Sequence, residues 1–153
     1  MKTTLFSLVA IAVATATATA TVAQAAPTVE AAWSRPAAKG TTGVGFMVLS
    51  NPGAKPDALI AVQSIGARQV EIHQSRVNNG VASMRPVASV SFPVGGRVTF
   101  APGGYHLMFL GLAKAQKVGD RLPAVLIFAS GVRTKVSFIV GLAPSAAGHD
   151  HHP

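Results

Sequence analysis

Two histidines and two methionines stand out as residues that could do chemistry together: His73, Met84, His106 and Met108. Beyond the N-terminal leader the chain has three methionines, Met47, Met84 and Met108, and its body has two histidines, His73 and His106. Imidazole and thioether are both uncharged donors, and the thioether is soft, so the pair suits Cu(I) better than Zn(II), Mg(II) or Ca(II). A closed-shell d¹⁰ ion imposes no geometry of its own, which lets donors from separate strands converge on it. Packing is the competing explanation for each residue taken alone. Methionine is a common core filler, and intermediate burial is normal for histidine.

The elements that must position these residues read as strands. In "GGYHLMFLG", residues 103–111, strand parity puts His106 and Met108 on one face and Leu107 and Phe109 on the other. The "PGG" before it turns the chain sharply into that strand, placing His106 at its mouth. His73 ends "VEIHQ" on the polar side of an alternation in which Val70 and Ile72 face the core. Asn78, Asn79 and Gly80 form a hairpin signal, because Asn and Gly tolerate positive φ. A turn centred near Asn79 aligns His73 with Met84 on adjacent strands.

The other segments, "GFMVLSNPG", "DALIAVQS", "ASVSFPV", "RVTFAPGG", "LPAVLIFAS" and "TKVSFIVGL", are short apolar runs closed by Gly, Pro or Asn. A short lead containing Trp33 precedes them. No segment beyond the leader keeps helical spacing, so the pattern predicts one all-β sandwich or barrel. Met47, in "GFMVLSN", is expected in the core.

Residues 1–25 have the layout of an export signal: Lys2, a threonine-diluted apolar stretch, then small residues at Ala23 and Ala25. Cleavage after Ala25 leaves residues 26–142 as the domain and 143–153 as a flexible tail, with no later run long enough to span a bilayer. Export would permit disulfides, yet the 153 residues contain no cysteine. That absence removes blue-copper, thiolate-zinc and iron–sulfur sites and a cysteine nucleophile from consideration. Thirteen Lys+Arg against five Asp+Glu make the chain basic, which suits an acidic protein surface or an anionic membrane face. The basic residues are scattered singly, and Trp33 and Tyr105 form no stacking array among them, so nucleic acid is not the expected partner.

The spacing His73, ten residues, Met84, twenty-one residues, His106, one residue, Met108 matches the His-x10-Met-x21-His-x-Met signature of the periplasmic copper chaperone family PCuAC. The words around it, "SNPG", "VEIHQS", "MRPV", "PGGYHLMFLGL" and "VGDRLPAVLIF", are similar to that family from about Trp33 to Val140. The resemblance implies a cupredoxin-like Greek-key β-sandwich or barrel in which His73, Met84, His106 and Met108 bind Cu(I). It also implies a periplasmic carrier that delivers copper towards the binuclear copper centre of cytochrome c oxidase, through an oxidase subunit or another copper-transfer protein. Tyr105 and Arg85 adjoin these ligands, and Glu71 reads as a surface charge.

The tail "HDHHP" adds His149, Asp150, His151 and His152. Imidazole with carboxylate suits Cu(II) better than Cu(I), which makes the tail a candidate second copper site or a solvated polar end. Family members often carry Met as well as His there, and this tail has no Met. Two other functions fit the same residues: an envelope copper-buffering or resistance protein, and a metal-free structural β domain. An enzyme is not expected, since there is no nucleophile elbow and Asp57, Glu71 and Asp120 form no carboxylate pair.

Overall fold

In the strand Tyr105–Leu112 (β8), Leu107 and Phe109 are fully buried with the half-buried Met108 between them. The same period of two recurs along a computed structural model that describes residues 25–142. Before β8 come β1 (Thr28–Ser34), β2 (Gly43–Ser50), β3 (Asp57–Gln63), β4 (Ala67–Asn78), β5 (Val81–Pro86), β6 (Val90–Phe92) and β7 (Arg97–Phe100). After it come β9 (Arg121–Phe128) and β10 (Arg133–Val140). The described residues contain no helix. The all-β class expected from the turn-punctuated apolar runs is the one found.

All ten strands join one sheet in the order β5-β4-β8-β7-β2-β1-β10-β9-β3-β6, with β8 also pairing with β2. β3 lies against β4, so the sheet bends round on itself and encloses one core. Aromatic pairs fasten that core. Phe109 meets Phe138 edge-on at 5.5 Å, and Phe92 meets Phe128 edge-on at 5.9 Å. Such contacts add about 0.5–1.5 kcal/mol each beyond the area they bury. Met47 is 1% exposed within this core, as expected for the methionine outside the motif.

Close packing sets one glycine. A Cβ on Gly45 would come within 2.7 Å of Phe109 and 3.3 Å of Phe138, so β2 passes over the aromatic pair without a side chain there. This keeps β2 tight against β8, where Val44 stands opposite Met108.

Two expectations need correction. The lead containing Trp33 is a strand, β1, paired antiparallel with β2 and parallel with β10. Its register shifts between Glu30 and Trp33, where Ala31 has φ 49°, and this bulge breaks the alternation by which a strand is recognised. The β4–β5 hairpin is also centred one residue later than expected. Asn79 and Gly80, at φ 51° and 78°, form a two-residue turn that pairs Asn78 with Val81. His73 therefore faces Pro86, and Met84 faces Ser75. The displacement along β5 is even, so Met84 stays on the face that carries His73.

Candidate metal centre

The four motif residues come together on one face of three neighbouring strands, β5, β4 and β8. Register places His73 of β4 directly opposite His106 of β8, and Glu71 opposite Met108. The two imidazole rings lie 5.9 Å apart, centroid to centroid, tilted by 46°. Parity works as expected: Leu107 and Phe109 are fully buried and anchor β8, while His106 and Met108 share the other face.

His106 is held from below. Its Nδ1–H donates to the carbonyl of Gly104 at 3.1 Å, and the same carbonyl accepts the Ser75 amide at 3.0 Å. Gly104 follows a turn closed by its own amide on Ala101, with Gly103 at φ 84°, so the "PGG" word does aim the histidine. A carbonyl can only accept. In the neutral ring Nε2 is then left with its lone pair.

That lone pair faces sulfur. Met84 Sδ lies 3.1 Å from His106 Nε2, although Met84 belongs to β5 and β4 runs between the two strands. The methionine reaches across Ser75, the small residue opposite it. Two donors held by one ion are roughly 3.5 Å apart, given bonds of about 2.0 Å to imidazole nitrogen and 2.3 Å to sulfur at tetrahedral angles. The observed separation is already close to that. Met84, His106 and Met108 line one open depression with Ser75, Val44 and Phe46, and Arg35 stands at its rim, its guanidinium 5.6 Å from the Phe46 ring. His106 is 5% exposed, whereas Met84 is 54% exposed. The cluster thus has a rigid, buried nitrogen and an accessible sulfur.

His73 stands beside this depression. Its Nε2–H donates to Glu71 Oε2 at 2.8 Å, and its Nδ1 is buried with no hydrogen-bond partner among the described residues. An unpaired buried nitrogen of this kind costs about 1–3 kcal/mol unless another group or ion takes it up. The reading of Glu71 as a plain surface charge is corrected here: its carboxylate is engaged with a motif residue. Parity could have found it, since residues 71 and 73 point to the same side of a strand. Arg85 is exposed on β5, and Tyr105 packs its ring against Phe100 at 5.8 Å, so neither touches the donor cluster through a polar contact.

Among the described residues no three His, Asp or Glu side chains gather as a metal site. His149, His151 and His152 lie outside the described residues, as does the leader before residue 25.

The small size of Ser75 yields a test. Ser75→Leu should push Met84 away from His106 and lower Cu(I) affinity about tenfold, the scale of losing a supporting contact, whereas Ser75→Ala should leave it unchanged. Competition titration against a chromophoric Cu(I) chelator measures both.

The all-β fold is that of PCuAC domains, as solved examples show. The chain is similar to the copper-bound PCuAC domain from PmoF2, at 27% identity and TM-score 0.63, covering 77% of this chain and 94% of that one. It is similar to the apo PCuAC domain from PmoF1, at 25% identity and TM-score 0.64, covering 77% and 95%. The solution structure of CuI-DR1885 from Deinococcus radiodurans shares the fold, with 24% identity, TM-score 0.56 and coverage of 73% and 77%. By sequence the chain belongs to the LpqE-like family, whose model, described as "Putative lipoprotein LpqE-like", matches residues 27–140. A curated relative, "Putative lipoprotein Lxx21020" of Leifsonia xyli subsp. xyli (strain CTCB07), is 28% identical over 110 residues. That match spans 71% of this chain and 66% of the relative, just under two thirds of its length.

Proposed function

We propose that this protein is an exported copper carrier that binds one Cu(I) ion through His73, Met84, His106 and Met108 and passes it to an acceptor protein. The observation that carries the reading is the approach of His106 Nε2 to Met84 Sδ at 3.1 Å, beside Met108. A nitrogen lone pair set against a soft sulfur suits a soft monovalent cation. The copper-bound PmoF2 domain, similar over 77% of this chain, supports copper as the cargo.

Transfer follows from the unequal exposure of the donors. The acceptor meets Met84 first, displaces the accessible thioether, and then takes the ion from the buried His106 by stepwise exchange. Arg35 at the depression, together with the excess of basic over acidic residues (12 against 5 once Lys2 leaves with the leader), favours an acidic acceptor face. A copper-receiving subunit of cytochrome c oxidase, or another copper-transfer protein, fits that role. Nothing in this chemistry requires a catalytic step, so the protein acts as a carrier and not an enzyme.

The leader and the lipoprotein names of its relatives favour export to the periplasm, with cleavage near Ala25. No helix among the described residues is long and apolar enough to cross a membrane. The 153 residues contain no cysteine to carry a thiol-linked lipid. For the tail histidines 149, 151 and 152 we infer Cu(II) capture as the candidate role, on the affinity of imidazole for that ion alone.

X-ray absorption on the Cu(I)-loaded protein tests the central reading. The expected first shell contains nitrogen and sulfur neighbours in equal number. A shell of nitrogen and oxygen alone would overturn it. A transfer assay with the isolated copper-receiving domain of the oxidase then separates delivery from storage.

A further inference from the structure

We propose that Glu71 is a positioning residue of the copper site, fixing the tautomer of His73 so that Nδ1 is the atom presented to the ion. This rests on the four-donor reading above and goes beyond it by choosing the nitrogen and naming the group that chooses. Glu71 Oε2 lies 2.8 Å from His73 Nε2. An ionised carboxylate only accepts, so Nε2 carries the hydrogen and Nδ1 carries the lone pair. Nδ1 is also the buried nitrogen without a partner among the described residues. His106 has the opposite arrangement: Gly104 holds its Nδ1–H and Nε2 is left for the ion.

Glu71 is itself held. Gln69 Nε2 donates to Glu71 Oε1 at 2.8 Å, so Gln69, Glu71 and His73 form a line along one face of β4. Register sets Glu71 opposite Met108 and His73 opposite His106, which puts the carboxylate beside the donors. A ligating histidine whose second nitrogen is tied to a carboxylate is a recurrent metal-site arrangement, because the tie orients the ring and raises its basicity. The negative charge also offsets the monovalent ion held by four neutral donors.

The alternative role for the same contact is competition, with Glu71 occupying the nitrogen that copper needs. The two give opposite results. In the copper-free protein, ¹⁵N NMR of the His73 ring should report the Nε2–H tautomer, and Glu71→Ala should turn it into a mixture. Cu(I) affinity, measured against a chromophoric chelator, should fall about 10- to 100-fold in Glu71→Ala. Glu71→Gln, whose amide oxygen still accepts the Nε2–H, should recover most of that loss. Unchanged or tighter binding in Glu71→Ala overturns the proposal, and so does an unmoved His73 tautomer. His106→Ala is measured alongside. If it abolishes tight binding while Glu71→Ala does not weaken it, the four-donor site stands and the role of Glu71 falls. If His106→Ala itself binds copper normally, the underlying site fails and the positioning role with it.

Discussion

Met108→Ala lowers Cu(I) affinity by roughly a hundredfold or more, because even the loss of an outer partner of a metal ligand costs 10–100-fold. The same variant keeps its fold. Met108 is half-buried on the depression side of β8, so its truncation opens the site wall and leaves the core intact. Fully buried methionines lose about 2–5 kcal/mol on truncation, and Met108 should lie at or below the low end of that range. Urea denaturation of the copper-free protein, read beside a chelator competition, checks both halves. Unchanged Cu(I) affinity would remove Met108 from the donor set.

The neighbouring residue should behave in the opposite way. Phe109→Ala costs about 3–5 kcal/mol of stability, the range for a buried phenylalanine. Its ring is fully buried, stacks edge-on against Phe138 at 5.5 Å, and fills the space that Gly45 leaves open. Against a total of about 5–15 kcal/mol for an ordinary domain, that is a large fraction. The urea midpoint should drop sharply, while the folded fraction still binds Cu(I), since no donor has been removed. A small shift in midpoint would show that the aromatic pair carries less of the core than its burial implies. Adjacent residues with opposite phenotypes, one losing cargo and the other losing fold, follow from the two-residue period of β8.

That period is why the site was so readable from the chain. His106 and Met108 share a face, and Leu107 and Phe109 anchor the other; the alternation states this before any coordinate does. Asn79 and Gly80 likewise announced the hairpin that brings Met84 round. The contact between Met84 and His106 was beyond local reading, because it depends on β4 lying between β5 and β8 and on Ser75 being small enough to reach across. Strand order is a long-range outcome of the whole core. The register of the hairpin needed the turn's centre to within one residue, and residues 78–80 offered two positions for it. β1 was missed because positive φ at Ala31 inserts a bulge that scrambles its alternation. The pairing of Glu71 with His73 was within reach of parity, but residue type alone made the carboxylate look like solvent-facing charge.

The position of β5 has a consequence for how quickly cargo can leave. It is the outermost strand at its end of the sheet, all six of its residues are exposed, and it pairs with β4 alone. Such margins fray at far lower free energy than the interior unfolds. In the proposed site the Met84 sulfur therefore hangs on a fully exposed edge strand, whereas β8 is pinned by Leu107 and Phe109. Dissociation can then proceed by a brief peeling of one ribbon, at a rate set by that local event and independent of global stability.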